Sequence, residues 1–468
     1  MMDYSFYGRL VDGIRLQSFF LMLIVGCVIA QPAPPLSRPG DVVGKAVIGY
    51  QGWFAAPKDG SPINAWVHWI KDGLEPRTQP LRPGMVKFDL YPDTREYTKL
   101  YQTQLGVYGN RQIGGLFSSW DQETVSLHFK WMQQYGIDCV AFQRFGLARS
   151  SDVIARQQDG VIQKVMNASQ TYQRKWYVAW DISGWNNQTY STDLLTDLNY
   201  LNQRIGVFNH PYYARQNGKL VISLWGFGFY DREGRPTNPD TAIDLINRLK
   251  TMGFYVIGGV PSAWRFTGQN SLATFQRVYS VFHMLQPWHV GAYTTPENAL
   301  AYQNILSGDF NVTKARGQDY QPVVFPGFSW SNWHTEPQSV RNQIPRMAGK
   351  FFWAQFFNLR KLGIQNCMVA MFDEYDEGTA IAKAAEDKSM VPVNQWFLTL
   401  DADGIHVSSD FYLRVYNDGT KMMKGITSMQ QQCPTSYTPS ASQQLLQTLT
   451  SMNPSQAPLL NTIFPLFI

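Results

Sequence analysis

The stretch "NCMVAMFDEYDEGTAI", Asn366 to Ile381, opens as an apolar strand and then sets four acids, Asp373, Glu374, Asp376 and Glu377, within five residues. Charged residues make up only 16% of the chain. So tight a cluster at the end of a buried strand needs a reason, and the reason depends on what kind of sheet the strand belongs to.

Working outward, seven more runs rich in Val, Ile and aromatics precede this one. They are Lys45 to Phe54, Asp138 to Phe145, Trp176 to Gly184, Lys219 to Gly228, Phe254 to Trp264, Tyr279 to Gly291 and Gln321 to Asn332. Helix-like segments lie between them. "ETVSLHFKWMQQYG" places Leu127, Trp131 and Tyr135 four apart, and "DTAIDLINRLKTMG" keeps helical spacing until Gly253. Strands alternating with helices imply parallel pairing. Eight such units between Val42 and Gly425 fit a (β/α)8 TIM barrel in one catalytic domain. A doubly wound sheet has fewer strands as a rule and a Gly-rich phosphate turn, which the sequence lacks. The run from Trp396 to Gly425 is expected to be the closing helix.

In a parallel barrel all the strand ends lie on one face, where distant residues converge. Each run here ends in polar or aromatic residues. They include Tyr50 and Trp53, Arg144, Asp181, Trp225, Trp264 and Arg265, Trp288, Trp330 and Asn332, and finally Glu374 and Glu377. The first ten are the candidate substrate-binding residues, and the two glutamates are the candidate catalytic pair. Arg144 and Arg265 suit either sugar hydroxyls or buried acids. The tryptophans divide between subsites and core packing. Two carboxyls at one strand end can share acid and base work, because crowding and burial oppose ionising both. That is the requirement of glycoside hydrolysis. The same acids could instead cap the helix that follows. Asp373 and Asp376 are expected to be structural.

Composition narrows the alternatives. With 468 residues, 44% of them hydrophobic, the chain can bury a large core. The net charge of +5 is spread without a basic block, which argues against a nucleic-acid partner. The 15 Trp and 24 Tyr suit stacking on sugar rings as well as core packing. His289 and His334 stand alone without metal-ligand spacing, and neither a serine elbow nor a phosphate loop occurs. No metal or cofactor is expected. Cys139 and Cys367 sit in apolar runs and read as small buried hydrophobes; Cys433 lies beyond the barrel.

Residues 1–30 carry Arg9, Arg15 and the apolar run Phe19 to Ala30, read as a secretory signal cut near Ala30, with an uncleaved anchor as the competitor. Sequons at Asn167, Asn187 and Asn311 fit a secreted or lumenal glycoprotein, taken to be a monomer. Residues 31–41 read as a Pro-rich linker, and residues 426–468 as a low-complexity, flexible tail.

The strand-end motifs carry a resemblance. "NCMVAMFDEYDEGTAI" resembles the eighth-strand signature of glycoside hydrolase family 99, an Asn-Glu-Trp-x-Glu-Gly-Thr run that holds both catalytic acids. "AVIGYQGWF", "WDISG", "LWGFGFYDR", "GGVPSAWR" and "VVFPGFSWSNW" resemble family 71/99-like proteins across most of the domain. The resemblance implies a retaining α-glycosidase of the endo-α-mannosidase type. In it, Glu374 takes the proton of the substrate's own 2-hydroxyl and Glu377 acts as general acid, then base. Here Asp373 replaces the Asn, Tyr375 the Trp and Asp376 a small residue. An α-1,3-glucanase like family 71 and a carbohydrate-binding barrel without activity are the alternatives.

Overall fold

The computed structural model describes residues 35–146, 152–230, 236–334 and 341–439. Eight barrel strands are present: β1 Ala46–Tyr50, β2 Cys139–Phe145, β3 Lys175–Asp181, β4 Lys219–Trp225, β5 Phe254–Pro261, β6 Met284–Trp288, β7 in two pieces, Asp319–Tyr320 and Val323–Val324, and β8 Cys367–Val369. All pair in parallel, in chain order, from β8 through β1 to β7. The first piece of β7 pairs with β6 and the second with β8, which closes the ring. The break falls at Pro322, which has no N–H to donate. Gln321 still donates to Leu285 O at 2.9 Å, and Met368 N to Pro322 O at 3.1 Å, so the ladder continues across it. The fold is the (β/α)8 barrel that the alternation predicts.

The outer helices are α1 Gln122–Gln134, α2 Asp152–Thr171, α3 Tyr190–Tyr200, α4 Pro239–Thr251, the single turn α5 Gln276–Tyr279, α6 Gln303–Ala315, α7 Lys350–Leu362 and α8 Phe411–Met423. Local chemistry sets their ends. In α4, Asn238 caps the N-terminus by accepting from Asp240 N at 2.9 Å, Pro239 occupies the first turn, and Gly253 at φ +92° follows the C-terminus. None of the helices among the described residues is long and apolar enough to cross a membrane.

The expected closing helix is shorter, and the two flanking segments make contacts with the barrel. The closing helix is confined to Phe411–Met423. Residues 396–410 are irregular chain instead, with Leu398 bridging to Leu90 and a turn at 400–404 in which Gly404 at φ +76° returns its N–H to Asp401 O at 2.8 Å and the Thr399 hydroxyl bonds the Asp401 carboxylate. The tail makes contacts with the barrel as far as Ser436: Trp353 Nε1 donates to Gln430 O at 3.0 Å, Arg414 Nη1 to Ser436 O at 2.6 Å and Thr435 Oγ1 to Asp418 Oδ2 at 2.7 Å. The end of the Pro-rich linker is also tied to the barrel, through Gln216 Nε2 to Arg38 O at 2.8 Å and Ser37 N to Asp319 Oδ1 at 3.1 Å. The apolar run Phe19 to Ala30 and the rest of the tail lie outside the described residues.

Cys139 on β2 and Cys367 on β8 are buried free thiols on either side of β1. A long excursion between β1 and α1 includes the antiparallel hairpin Tyr101–Val107 with Ile113–Leu116 and packs against the turns after β7 and β8. Leu90 N within it donates to Tyr375 O at 3.2 Å.

Candidate active site

A cleft with about 780 Å³ of empty volume, its open mouth included, sits at the C-terminal ends of the strands. Pleating decides what faces it, since alternate side chains point to opposite sides of the sheet. Ala141, Gln143 and Phe145 of β2, Ala179 and Asp181 of β3, Ser223 and Trp225 of β4, and Gln286 and Trp288 of β6 all line the cleft at a spacing of two. Phe145, Asp181 and Trp225 are register partners across three strands and so share one level. Glycines make room for two of the lining groups. A Cβ on Gly259 would fall 2.2 Å from Trp225 Cδ1, and one on Gly49 would fall 2.0 Å from the sulfur of Met371.

The acidic turn after β8 completes the cleft with Glu374 and Glu377. Glu374 is buried. Its Oε1 accepts from Gln51 Nε2 at 2.8 Å, and its Oε2 from the Thr379 hydroxyl at 2.5 Å. Burial pushes its carboxyl well above the ordinary range, and the charges of Glu377 and Asp376 add to this; the two donors oppose it. Glu377 is partly exposed. Its backbone is pinned by Ser329 N, which donates to Glu377 O at 2.8 Å.

The two aspartates beside the pair are both engaged in hydrogen bonds within the protein. Asp373 accepts Gln51 N at 2.8 Å and Gly52 N at 2.9 Å, which ties the β1 loop to the turn. Burial moves its carboxyl up to about 7. Asp376 lies 2.8 Å from His68 Nδ1. Burial shifts that imidazole below its usual value, while the hydrogen bond to Asp376 pulls it back up.

Of the ten candidate substrate-binding residues, Trp53, Asp181, Trp225 and Trp288 line the cleft. The other six do not. Arg144 faces away from the barrel interior and is buried, with Nε and Nη2 on the Asp197 carboxylate at 2.7 and 2.8 Å and Nη1 2.9 Å from Asp159. Tyr50 also points outward, to His128 Nδ1 at 2.9 Å. Trp264 is fully buried in the core, and Arg265 is paired with Asp309 of α6. Trp330 packs at the surface against Phe328 and His334. Asn332 is occupied by backbone, with Nδ2 on Phe88 O at 2.9 Å and Trp396 O at 3.0 Å. His289 is a buried core residue, lowered to about 4 by burial, and His334 stacks on Trp333.

Sequence reasoning missed Gln51, Phe145, Ser223, Gln286 and Met371 as cleft residues. A signal for two of them, Ser223 and Gln286, was present, and Gln143 carries the same one. Gln143, Ser223 and Gln286 each stand two residues before the aromatic that ends their strand, so they share its face. Counting in twos would also have set Arg144 aside, because it sits between Gln143 and Phe145.

No family model matches the chain, and no curated protein matches it in sequence. Solved structures do match. The GH99 endo-α-mannosidase from Bacteroides thetaiotaomicron aligns with a TM-score of 0.57 at 13% identity, over 82% of this chain and 98% of that one. The GH99 endo-α-mannosidase of that organism in complex with bis-tris propane aligns at 0.54 and 14%, over 82% and 98%. Identity this low speaks for the fold alone, and the chain shares the (β/α)8 barrel of those enzymes across nearly their whole length.

Proposed function

We propose that the chain is a retaining α-glycoside hydrolase, acting without metal or cofactor on an α-linked glycan of the mannan or mannoside type. The observation that carries this reading is the pair Glu374 and Glu377 at the end of β8, facing a cleft walled by Trp53, Trp225 and Trp288 and by neutral amides. Aromatic rings with a few placed polar groups suit the alternating apolar and hydroxyl faces of a sugar. Acids at the C-terminal end of a barrel strand stand where such folds keep their catalysts.

In the proposed reaction Glu374 takes the proton from the sugar's 2-hydroxyl while O2 forms a bond to C1. The bond from C1 to the leaving oxygen breaks, and Glu377 gives that oxygen its proton. Water then bonds to C1 as the C1–O2 bond breaks; the water returns a proton to Glu377, and the released O2 recovers its proton from Glu374. Two inversions leave the anomeric configuration retained. A carboxylate raised by desolvation is the stronger base, which suits proton removal from a hydroxyl.

A secretory location belongs to the same proposal, and the side chains of Asn167, Asn187 and Asn311 are exposed, as glycan attachment requires. The deciding experiment is incubation of the purified chain with defined α-mannans and α-glucans, followed by sizing of products. Short oligosaccharides released from α-mannan are expected. Release from α-1,3-glucan alone would move the substrate to glucan, and binding without release from either would leave a lectin-like barrel.

A further inference from the structure

Among the described residues, two polar atoms in the cleft, both from the loop that follows β1, have no hydrogen-bond partner. Gln51 is 4% exposed. Its backbone N–H is fixed on Asp373 and its Nε2 on Glu374 Oε1 at 2.8 Å, which orients the amide and leaves Oε1 as a buried acceptor without a donor. Trp53 lines the same cleft, and its Nε1 is a buried donor without an acceptor. Its ring is already engaged, stacked on His68 with centroids 3.6 Å apart and an interplanar angle of 7°, and on Phe145 at 5.2 Å and 25°. What Trp53 offers a ligand is therefore its N–H more than a ring face.

Buried polar groups in native structures are almost always paired, and an orphan at a functional site calls for a specific explanation. An acceptor and a donor two residues apart, both beside the acid pair, match the two hydrogen-bonding capacities of sugar hydroxyls, which can donate to one group and accept from another. We propose that Gln51 and Trp53 form the element that reads the hydroxyls of the sugar ring undergoing cleavage, with Gln51 Oε1 accepting from one hydroxyl and Trp53 Nε1 donating to another. Gln51 then has two duties: its Nε2 positions Glu374 while its Oε1 registers the substrate, so a correctly placed sugar and a correctly placed base are linked through one amide. The inference rests on the hydrolase reading of the cleft.

The test pairs variants with substrates. Wild type, Gln51→Leu and Trp53→Phe are each assayed for kcat/KM on an α-linked disaccharide and on its 3-, 4- and 6-deoxy forms at the ring being cleaved. In wild type, loss of a hydroxyl read by this element should cost about tenfold or more, because the site is left with an unpaired buried group. In Gln51→Leu the cost at one hydroxyl should vanish while the others persist, and in Trp53→Phe, which keeps a stacked ring, the cost at a different hydroxyl should vanish. Gln51→Glu retains an acceptor of the same shape. It should keep the hydroxyl preference and move the rising limb of the pH profile to higher pH, through the added carboxyl beside Glu374. If every deoxy substrate loses the same factor in both variants as in wild type, the proposal is wrong. A wild type that cleaves no α-glycoside refutes the hydrolase reading instead. Titration of the same sugars by tryptophan fluorescence then decides the recognition element separately, and equal affinity for all deoxy forms, or no binding at all, overturns it.

Discussion

Arg346 Nη2 donates to the carbonyl oxygens of both Gly378, at 2.8 Å, and Ala380, at 2.6 Å, so one buried guanidinium clamps the backbone just after the acid pair. The turn has little room to move elsewhere, since Gly378 lies at φ +62° and a Cβ there would meet the backbone of Ser329 at 3.0 Å. Arg346→Met should therefore act at a distance from the chemistry. Two buried carbonyls lose their donor, at a cost of about 2–4 kcal/mol, and the pair loses its fixed geometry. The expected result is a lowered Tm together with a fall in kcat that exceeds any change in KM. Unchanged turnover in a folded Arg346→Met variant would show that the clamp does not position the acids.

Arg144 provides the contrast. It was a candidate for sugar binding from its place at a strand end, but it joins β2 to α2 and α3 through Asp159 and Asp197. Breaking a buried ion pair from one side costs about 3–5 kcal/mol, because the remaining charge is left uncompensated. Arg144→Met is predicted to lower stability by that order in denaturant titration. Whatever folded fraction remains should keep the wild-type KM. A raised KM with unchanged stability would return Arg144 to the binding site.

The architecture was readable because a (β/α)8 barrel is written in local pattern: all eight strand runs and the helix ending at Gly253 can be read from it. The acid pair was readable for the same reason, as its position follows from being at the end of a strand. Which strand-end residues enter the cleft was less legible, since that depends on the phase of a two-residue repeat within each run. Tyr50 and Arg144 fall on the outer phase, whereas Gln143 and Gln286 fall on the inner one. The role of Asn332 depends on a contact with the excursion after β1, more than 200 residues away in sequence, and no local pattern records it.

Protonation offers a prediction with a definite sign. Burial lifts Asp373 to about 7 and pushes Glu374 up as well, so the folded protein holds protons there that the unfolded chain releases near pH 4. Across the window from about 4 to about 7 the native state binds more protons at Asp373, and this residue's contribution to stability declines as pH rises. Relative to Asp373→Asn, wild type should lose stability between pH 4.5 and 7.5, which paired urea titrations would measure. A pH-independent difference would mean that Asp373 is already ionised throughout. For catalysis, the rising limb of kcat/KM should lie above the ordinary carboxylate range, since the base form of Glu374 must be populated.

The two glutamates should be separable by leaving group. Glu377→Gln removes acid assistance, worth about 10²- to 10⁴-fold with a natural glycan and far less with an aryl leaving group that departs unaided. Glu374→Gln should abolish both reactions, because proton removal from the 2-hydroxyl is needed whatever leaves. Both amides are isosteric, so circular dichroism should show intact folds. Near-wild-type turnover of a natural glycan by either variant would refute the role given to that residue.

Asp181 allows a sharper test of mechanism. It lines the cleft from β3, with Oδ1 accepting Ser183 N at 2.8 Å, and it is the carboxylate from another strand that could attack the anomeric carbon directly. A double displacement needs such a nucleophile about 5 Å from the acid and forms a glycosyl ester on the protein. Attack by the substrate's own O2 forms no such ester and fails when the 2-hydroxyl is missing. Both routes give the retained product, so stereochemistry does not distinguish them, but a 2-deoxy-2-fluoro glycoside does. The proposed mechanism predicts that this compound binds, is not turned over, and leaves the intact mass of the protein unchanged. An added glycosyl mass mapped to Asp181 or to Glu374 would establish double displacement, with Glu377 still the acid. Asp181→Asn gives the complementary result: under the O2 mechanism it should weaken substrate binding and leave measurable turnover, whereas loss of the nucleophile would abolish turnover altogether.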